Sequence, residues 1–61
     1  MKVGDLVKKR FGHFESWQRE SVGIVLSREW RDHHDFITVL YPNRDPELYR
    51  RLNFEVISES E

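Results

Sequence analysis

The side chains best equipped for chemistry stand together in one short stretch, Trp30-Arg31-Asp32-His33-His34-Asp35-Phe36. Two imidazoles lie between two aspartates, with an aromatic at either end. Three roles are open to such a cluster: a zinc site, an acid–base pair of carboxylate and imidazole, or the polar tip of a β-hairpin. For metal, the adjacent His33 and His34 point to opposite sides of an extended chain. They converge only within a turn, and His13 would have to join them from another loop. Zinc sites carry four ligands at CxxC or HxxxH spacing, and neither spacing is present. No metal and no cofactor is expected.

Catalysis has no better footing. Pairing Asp32 or Asp35 with His33 or His34 requires a concave, water-excluding setting, and a chain of 61 residues has little volume for one. Ser16, Ser21, Ser27 and Ser58 fall in no nucleophile-elbow pattern. The expectation is a non-enzymatic protein in which Trp30 ends one strand, Arg31 to Asp35 form a polar turn, and Phe36 starts the next strand. If that tip shares a rim with a binding loop, its histidines would make binding pH-dependent.

A second concentration of capable residues lies upstream. Phe11, His13, Phe14 and Trp17 occupy one irregular segment flanked by Lys8, Lys9, Arg10 and Arg19. Two readings are open. The aromatics fold back and plug the end of a small core, or they contact a ligand by stacking on prolines or bases. Trp30 carries the same double reading.

The charge balance bears on the partner. Net charge is −1, but residues 1–31 hold seven Lys or Arg and four Asp or Glu, a balance of +3, while residues 32–61 hold three and seven, a balance of −4. Lys8, Lys9, Arg10, Arg19, Arg28 and Arg31 would attract phosphates if they converged on one face. A solvated surface of mixed charge is the simpler interpretation. Cysteine is absent, so no disulfide staples the fold. The first ten residues contain no apolar run of signal-peptide length and no segment is long enough to span a bilayer, which leads to the expectation of a cytoplasmic protein.

These groups must be positioned by short β-elements. Enrichment in β-branched and aromatic residues marks strands at Val3 to Lys9, Val22 to Arg28, Phe36 to Tyr41 and Phe54 to Ile57. In the third, Ile37, Val39 and Tyr41 face one way while Phe36, Thr38 and Leu40 face the other. Gly4-Asp5 marks a bend near the first strand's start, and Gly23 a bulge or a close backbone approach. The stretch from Pro42 to Asn53 is ambiguous. It reads as a helix capped by Asp45, with Pro46 in its first turn, or as a turn followed by a short strand at Glu47 to Arg50 and a 3₁₀ turn.

The order KVGDLVKK, VGIVLS, FITVLYPN, NFEVIS resembles small SH3-like barrels, including those encoded by tailed and marine bacteriophages, over nearly the whole chain. The resemblance implies an all-β domain, residues 1–58, of about five short antiparallel strands with a 3₁₀ turn before the last, and a short acidic tail at residues 59–61. It decides the ambiguous segment in favour of a strand at Glu47 to Arg50. Two departures stand out: Pro42-Asn43-Arg44-Asp45 replaces the Asp-Gly frequent after the third strand, and the first loop is long and aromatic.

In such barrels the loop after the first strand borders the common ligand groove. The resemblance thus implies a protein-interaction module, a phage-type accessory protein in the host cytoplasm. Phe14, Trp17, Trp30 and Tyr49 would form its contact rim for a protein partner. The alternative is nucleic-acid or ribonucleoprotein binding through Lys8, Lys9, Arg10, Arg19, Arg28 and Arg31. It rests on GDLVKK and VGIV, which are similar to the two halves of a KOW motif whose tight glycine spacing the long insert breaks. An exposed strand edge leaves both monomer and homodimer open.

Overall fold

The computed structural model describes residues 1–13 and 15–59, with only the backbone of Arg19. Five antiparallel strands form one sheet: β1 Leu6–Lys9, β2 Gly23–Arg31, β3 His34–Leu40, β4 Glu47–Arg50 and β5 Phe54–Ser58. Their spatial order is β4-β3-β2-β1-β5. No α-helix occurs among the described residues; two 3₁₀ turns do, at Ser16–Arg19 in the first loop and at Arg51–Asn53 just before β5. The expected fold, with a strand at Glu47 to Arg50 and a 3₁₀ turn ahead of the last strand, is the one observed.

Although β4 and β5 lie at opposite ends of this order, their side chains meet. The rings of Tyr49 on β4 and Phe54 on β5 have centroids 5.3 Å apart. In a flat sheet, strands four steps apart would be separated by ~19 Å. The sheet therefore curls until its two edges face each other. Two irregularities assist the bend. Leu26 is an extra residue in β2 against β3, and Ile57 an extra residue in β5 against β1. The bulge expected at Gly23 thus lies three residues later, while the close approach expected there is real. A Cβ at Gly23 would overlap Cγ1 of Val39 and sit 3.3 Å from Cε1 of Tyr41.

The concave face holds the core: Val7, Val25, Ile37, Val39, Tyr41 and Phe54. Cross-strand pairs share a face, so the pairings Val25 with Val39 and Ile37 with Tyr49 place these side chains inward. The alternation expected for β3 holds, with Ile37, Val39 and Tyr41 buried.

Element ends differ from expectation for local reasons. Residues 2–5 form a turn rather than strand: the Asp5 N–H donates to the Lys2 carbonyl at 3.1 Å, and the Asp5 carboxylate accepts the Lys2 N–H at 2.7 Å. Gly4 takes φ +94° there, in the region that favours glycine. At the hairpin tip, pairing continues to Arg31 opposite His34. The turn is thus only Asp32-His33, both with positive φ, and not the five residues Arg31 to Asp35. That is a two-residue type I′ connection, which suits the twist of the flanking strands.

Candidate functional site

The aromatics inside the curled sheet form a continuous row. The Trp17 ring meets Tyr41 edge-on at 5.0 Å, Tyr41 meets Tyr49 at 6.3 Å, and Tyr49 meets Phe54 at 5.3 Å. Such tilted and edge-to-face pairs match the positive rim of one ring to the negative face of the next. Each ring comes from a different element: the first 3₁₀ turn, the end of β3, β4 and β5.

The 3₁₀ turn that delivers Trp17 is closed from within. The Glu15 N–H donates to Gln18 Oε1 at 2.8 Å, and the Gln18 N–H donates to the Glu15 carbonyl at 3.0 Å. Ser21 Oγ then donates to the Trp17 carbonyl at 2.5 Å, fixing the turn's exit.

Cations cover the two half-buried rings of the row, Trp17 and Tyr49. The Arg44 guanidinium carbon stands 3.6 Å from the Trp17 ring centroid, and Lys9 Nζ stands 5.7 Å from that of Tyr49. The electron-rich faces attract both charges. Lys9 also donates to the His13 carbonyl at 2.6 Å, tying the first loop to the site.

The tyrosine hydroxyls are held in their neutral form. Burial pushes the Tyr49 pKa well above its ordinary value, and the Glu47 carboxylate raises it further by accepting the hydroxyl's hydrogen bond at 2.8 Å. Burial also raises Tyr41, with the polar Gln18 side chain partly opposing it. No group meets the Tyr41 hydroxyl in ordinary hydrogen-bonding geometry among the described residues.

Beside this row opens a groove of about 880 Å³. Leu6, Ile24 and Leu40 supply its apolar wall, Tyr41 and Tyr49 its aromatic side, and the loop carrying Arg44 and Asp45 its rim. The chemistry available is shape-selective contact along a wall that is apolar on one side and polar at Asn43, Arg44, Asp45 and Glu47.

Of the expected protein-binding residues, Trp17 and Tyr49 come together through Tyr41. Trp30 does not join them. It lies toward the far end of the hairpin opposite Asp35, is 70% exposed, and borders a shallow depression with Arg28 and Glu29. Phe14 lies outside the described residues. The plugging reading holds for Trp17, which packs against the core, whereas Phe11 is 63% exposed.

Of the basic set, Arg10 pairs with Glu55 at 2.5 Å, Arg28 with Asp35 at 3.1 Å and Arg31 with Glu29 at 2.8 Å. Lys9 is occupied as described, and Lys8 lies on β1 opposite Glu55. Arg19 belongs to the first 3₁₀ turn, and its side chain lies outside the described residues.

The Trp30 to Phe36 cluster is spread over both faces of the hairpin. Asp35 approaches Arg28 and, at 3.7 Å, Arg51, while His34 Nδ1 lies 2.9 Å from Arg50 Nη2. Among the described residues no three His, Cys, Asp or Glu side chains gather in a way that could hold a metal ion, and no helix is long and apolar enough to cross a membrane.

Sequence reasoning missed Arg44, Tyr41 and Glu47 as parts of the site. The inward phase of β3 contained the signal for Tyr41. Nothing local to Arg44 indicates that its turn folds over Trp17. Comparison with family models, with curated proteins and with solved structures found no match to this chain.

Proposed function

We propose that the chain is a non-enzymatic interaction module that binds a protein partner in the groove beside its aromatic row. The observation that carries this reading is the row Trp17–Tyr41–Tyr49, with Arg44 over Trp17, of which Tyr41, Tyr49 and Arg44 line an open groove with an apolar wall. Aromatic and arginine side chains at the border of an apolar depression are the usual energetic anchors of protein interfaces. The sequence resemblance adds the context of a phage-type accessory protein acting in the host cytoplasm. The basic residues give less support to nucleic-acid binding, since Arg10, Arg28 and Arg31 each already face a carboxylate.

The test is affinity capture from the native host with three proteins: the unmodified chain, Arg44→Glu and Trp30→Ala. Arg44→Glu reverses charge at the rim without replacing any core residue, so loss of a specific protein partner is expected with it. Trp30→Ala should retain that partner. Equal recovery by all three would remove the groove from the interface, and capture of nucleic acid that is lost steeply with added salt would favour the alternative.

A further inference from the structure

The convex face of the sheet carries a second arrangement, independent of the aromatic groove. His34 opens β3, and Arg50 closes β4, where it pairs with Phe36 two residues beyond His34. His34 Nδ1 and Arg50 Nη2 are 2.9 Å apart, and the His34 ring stands edge-on to Phe36 at 6.3 Å. A guanidinium has donors and no acceptor, so the contact is a hydrogen bond only when Nδ1 carries a lone pair. Read as a hydrogen bond, the contact requires the tautomer whose proton sits on Nε2.

We propose that His34 and Arg50 form an oxyanion site that opens when the imidazole is protonated and takes a carboxylate from an acidic segment of a protein partner. Protonation converts Nδ1 from acceptor to donor, and two donors cannot share the 2.9 Å contact. They separate and leave two charge-assisted donors directed at the same space. One carboxylate between them receives both hydrogen bonds and meets two positive charges.

The surrounding charges favour a single carboxylate over a polyanion. Arg31 lies opposite His34 across the hairpin, but its guanidinium is held by Glu29 at 2.8 Å. Asp32 and His33 form the adjoining turn. On the opposite face Asp35 stands between Arg28 and Arg51. Arg50 is the guanidinium of this end with no carboxylate partner among the described residues, so protonated His34 adds the second charge. Three nearby carboxylates, Glu29, Asp32 and Asp35, repel an extended phosphate chain.

The test uses the full chain labelled with ¹⁵N and, as probe, a capped glycine tetrapeptide carrying a single aspartate. Its one carboxylate, with an ordinary pKa of ~3.9, stays ionised at about pH 5.5 and at about pH 8. At the lower pH the peptide should move the amide resonances of Arg31, His34 and Arg50. Its affinity should fall roughly tenfold at the higher pH, the weight of one exposed charge-assisted hydrogen bond. His34→Leu should abolish the pH dependence and Arg50→Gln the binding, whereas His33→Asn should keep both; the amide spectra themselves report that each variant is folded. Equal affinity at the two pH values, no shift at either, or shifts confined to another region would overturn the proposal. Stronger binding of a short single-stranded oligonucleotide at the same residues would overturn the choice of an acidic protein segment.

Discussion

The Arg44 guanidinium carbon stands 3.6 Å from the Trp17 ring centroid, while the same indole meets Tyr41 in a T-shaped pair. One residue from a turn thereby clamps one residue from the first loop onto the core. The chain has two tryptophans in opposite settings, Trp17 packed and Trp30 70% exposed. Trp30→Phe should therefore leave a fluorescence weakly quenched by acrylamide, and Trp17→Phe one that is strongly quenched. Trp30→Ala should change stability by less than about 0.5 kcal/mol. Trp17→Ala should cost ~2 kcal/mol or more, a large part of the total for so short a chain. Arg44→Gln, which removes only the cation, should cost ~0.5–1 kcal/mol. Urea melts of the last three variants check the ranking, and a Trp30→Ala loss as large as that of Trp17→Ala would contradict it.

Gly23 is where β2 passes closest to the core. Its pairing partner is Val7, and a Cβ would drive into the fully buried Val39 and against Tyr41. Neither neighbour is a flexible side-chain end with room to retreat. Gly23→Ala should destabilise by ~1–3 kcal/mol through overpacking. The distinguishing measurement is a double-mutant cycle with Val39→Ala. The double variant should be more stable than the sum of the single losses implies, and simple additivity would place the cost elsewhere.

Much of the strand order was legible because β3 alternates strictly and because Glu47 to Arg50 fits between the Pro42–Pro46 turn and a 3₁₀ segment. The tip of the β2–β3 hairpin was not. Positive φ at two successive residues is normally written with Asn or Gly, and here Asp32 and His33 adopt φ +51° and +65°. Without that signal, residues 31–35 read as one long polar turn. The groove was equally hidden, since it depends on Arg44 and Trp17 meeting across 27 positions of sequence. Pattern within one element cannot encode such a contact.

The same tip yields a stabilising prediction. Left-handed backbone costs a side-chain-bearing residue roughly 1 kcal/mol, and asparagine and glycine lower that cost. Replacing Asp32-His33 by Asn-Gly should raise stability by ~1 kcal/mol without altering strand register. Thermal melts measure the gain, and unchanged amide shifts in β2 and β3 outside the turn verify the register. A loss of stability would mean that the native side chains contribute contacts that outweigh the backbone strain.

The aromatic row also fixes how the fold responds to alkali. Tyr41 and Tyr49 are the only tyrosines, and burial raises both pKa values above that of the unfolded chain, Tyr49 with help from Glu47. A tyrosine is neutral when protonated, so a raised folded-state pKa means that the folded form keeps its proton where the unfolded form has lost it. The contribution is fully present below the unfolded value of ~10 and falls away as pH rises beyond it. Tyrosinate absorbance should accordingly appear together with unfolding rather than ahead of it, and the urea midpoint should drop between about pH 9 and about pH 11.5. Tyr49→Phe should flatten that drop by removing one of the two titrations. Tyr41→Phe should flatten it as well and, by deleting a buried hydroxyl without a well-formed partner, should be neutral or stabilising at pH ~7. Free titration of both phenols at pH ~10 in the folded protein would show that the row is open to solvent and that its rings are not held as described.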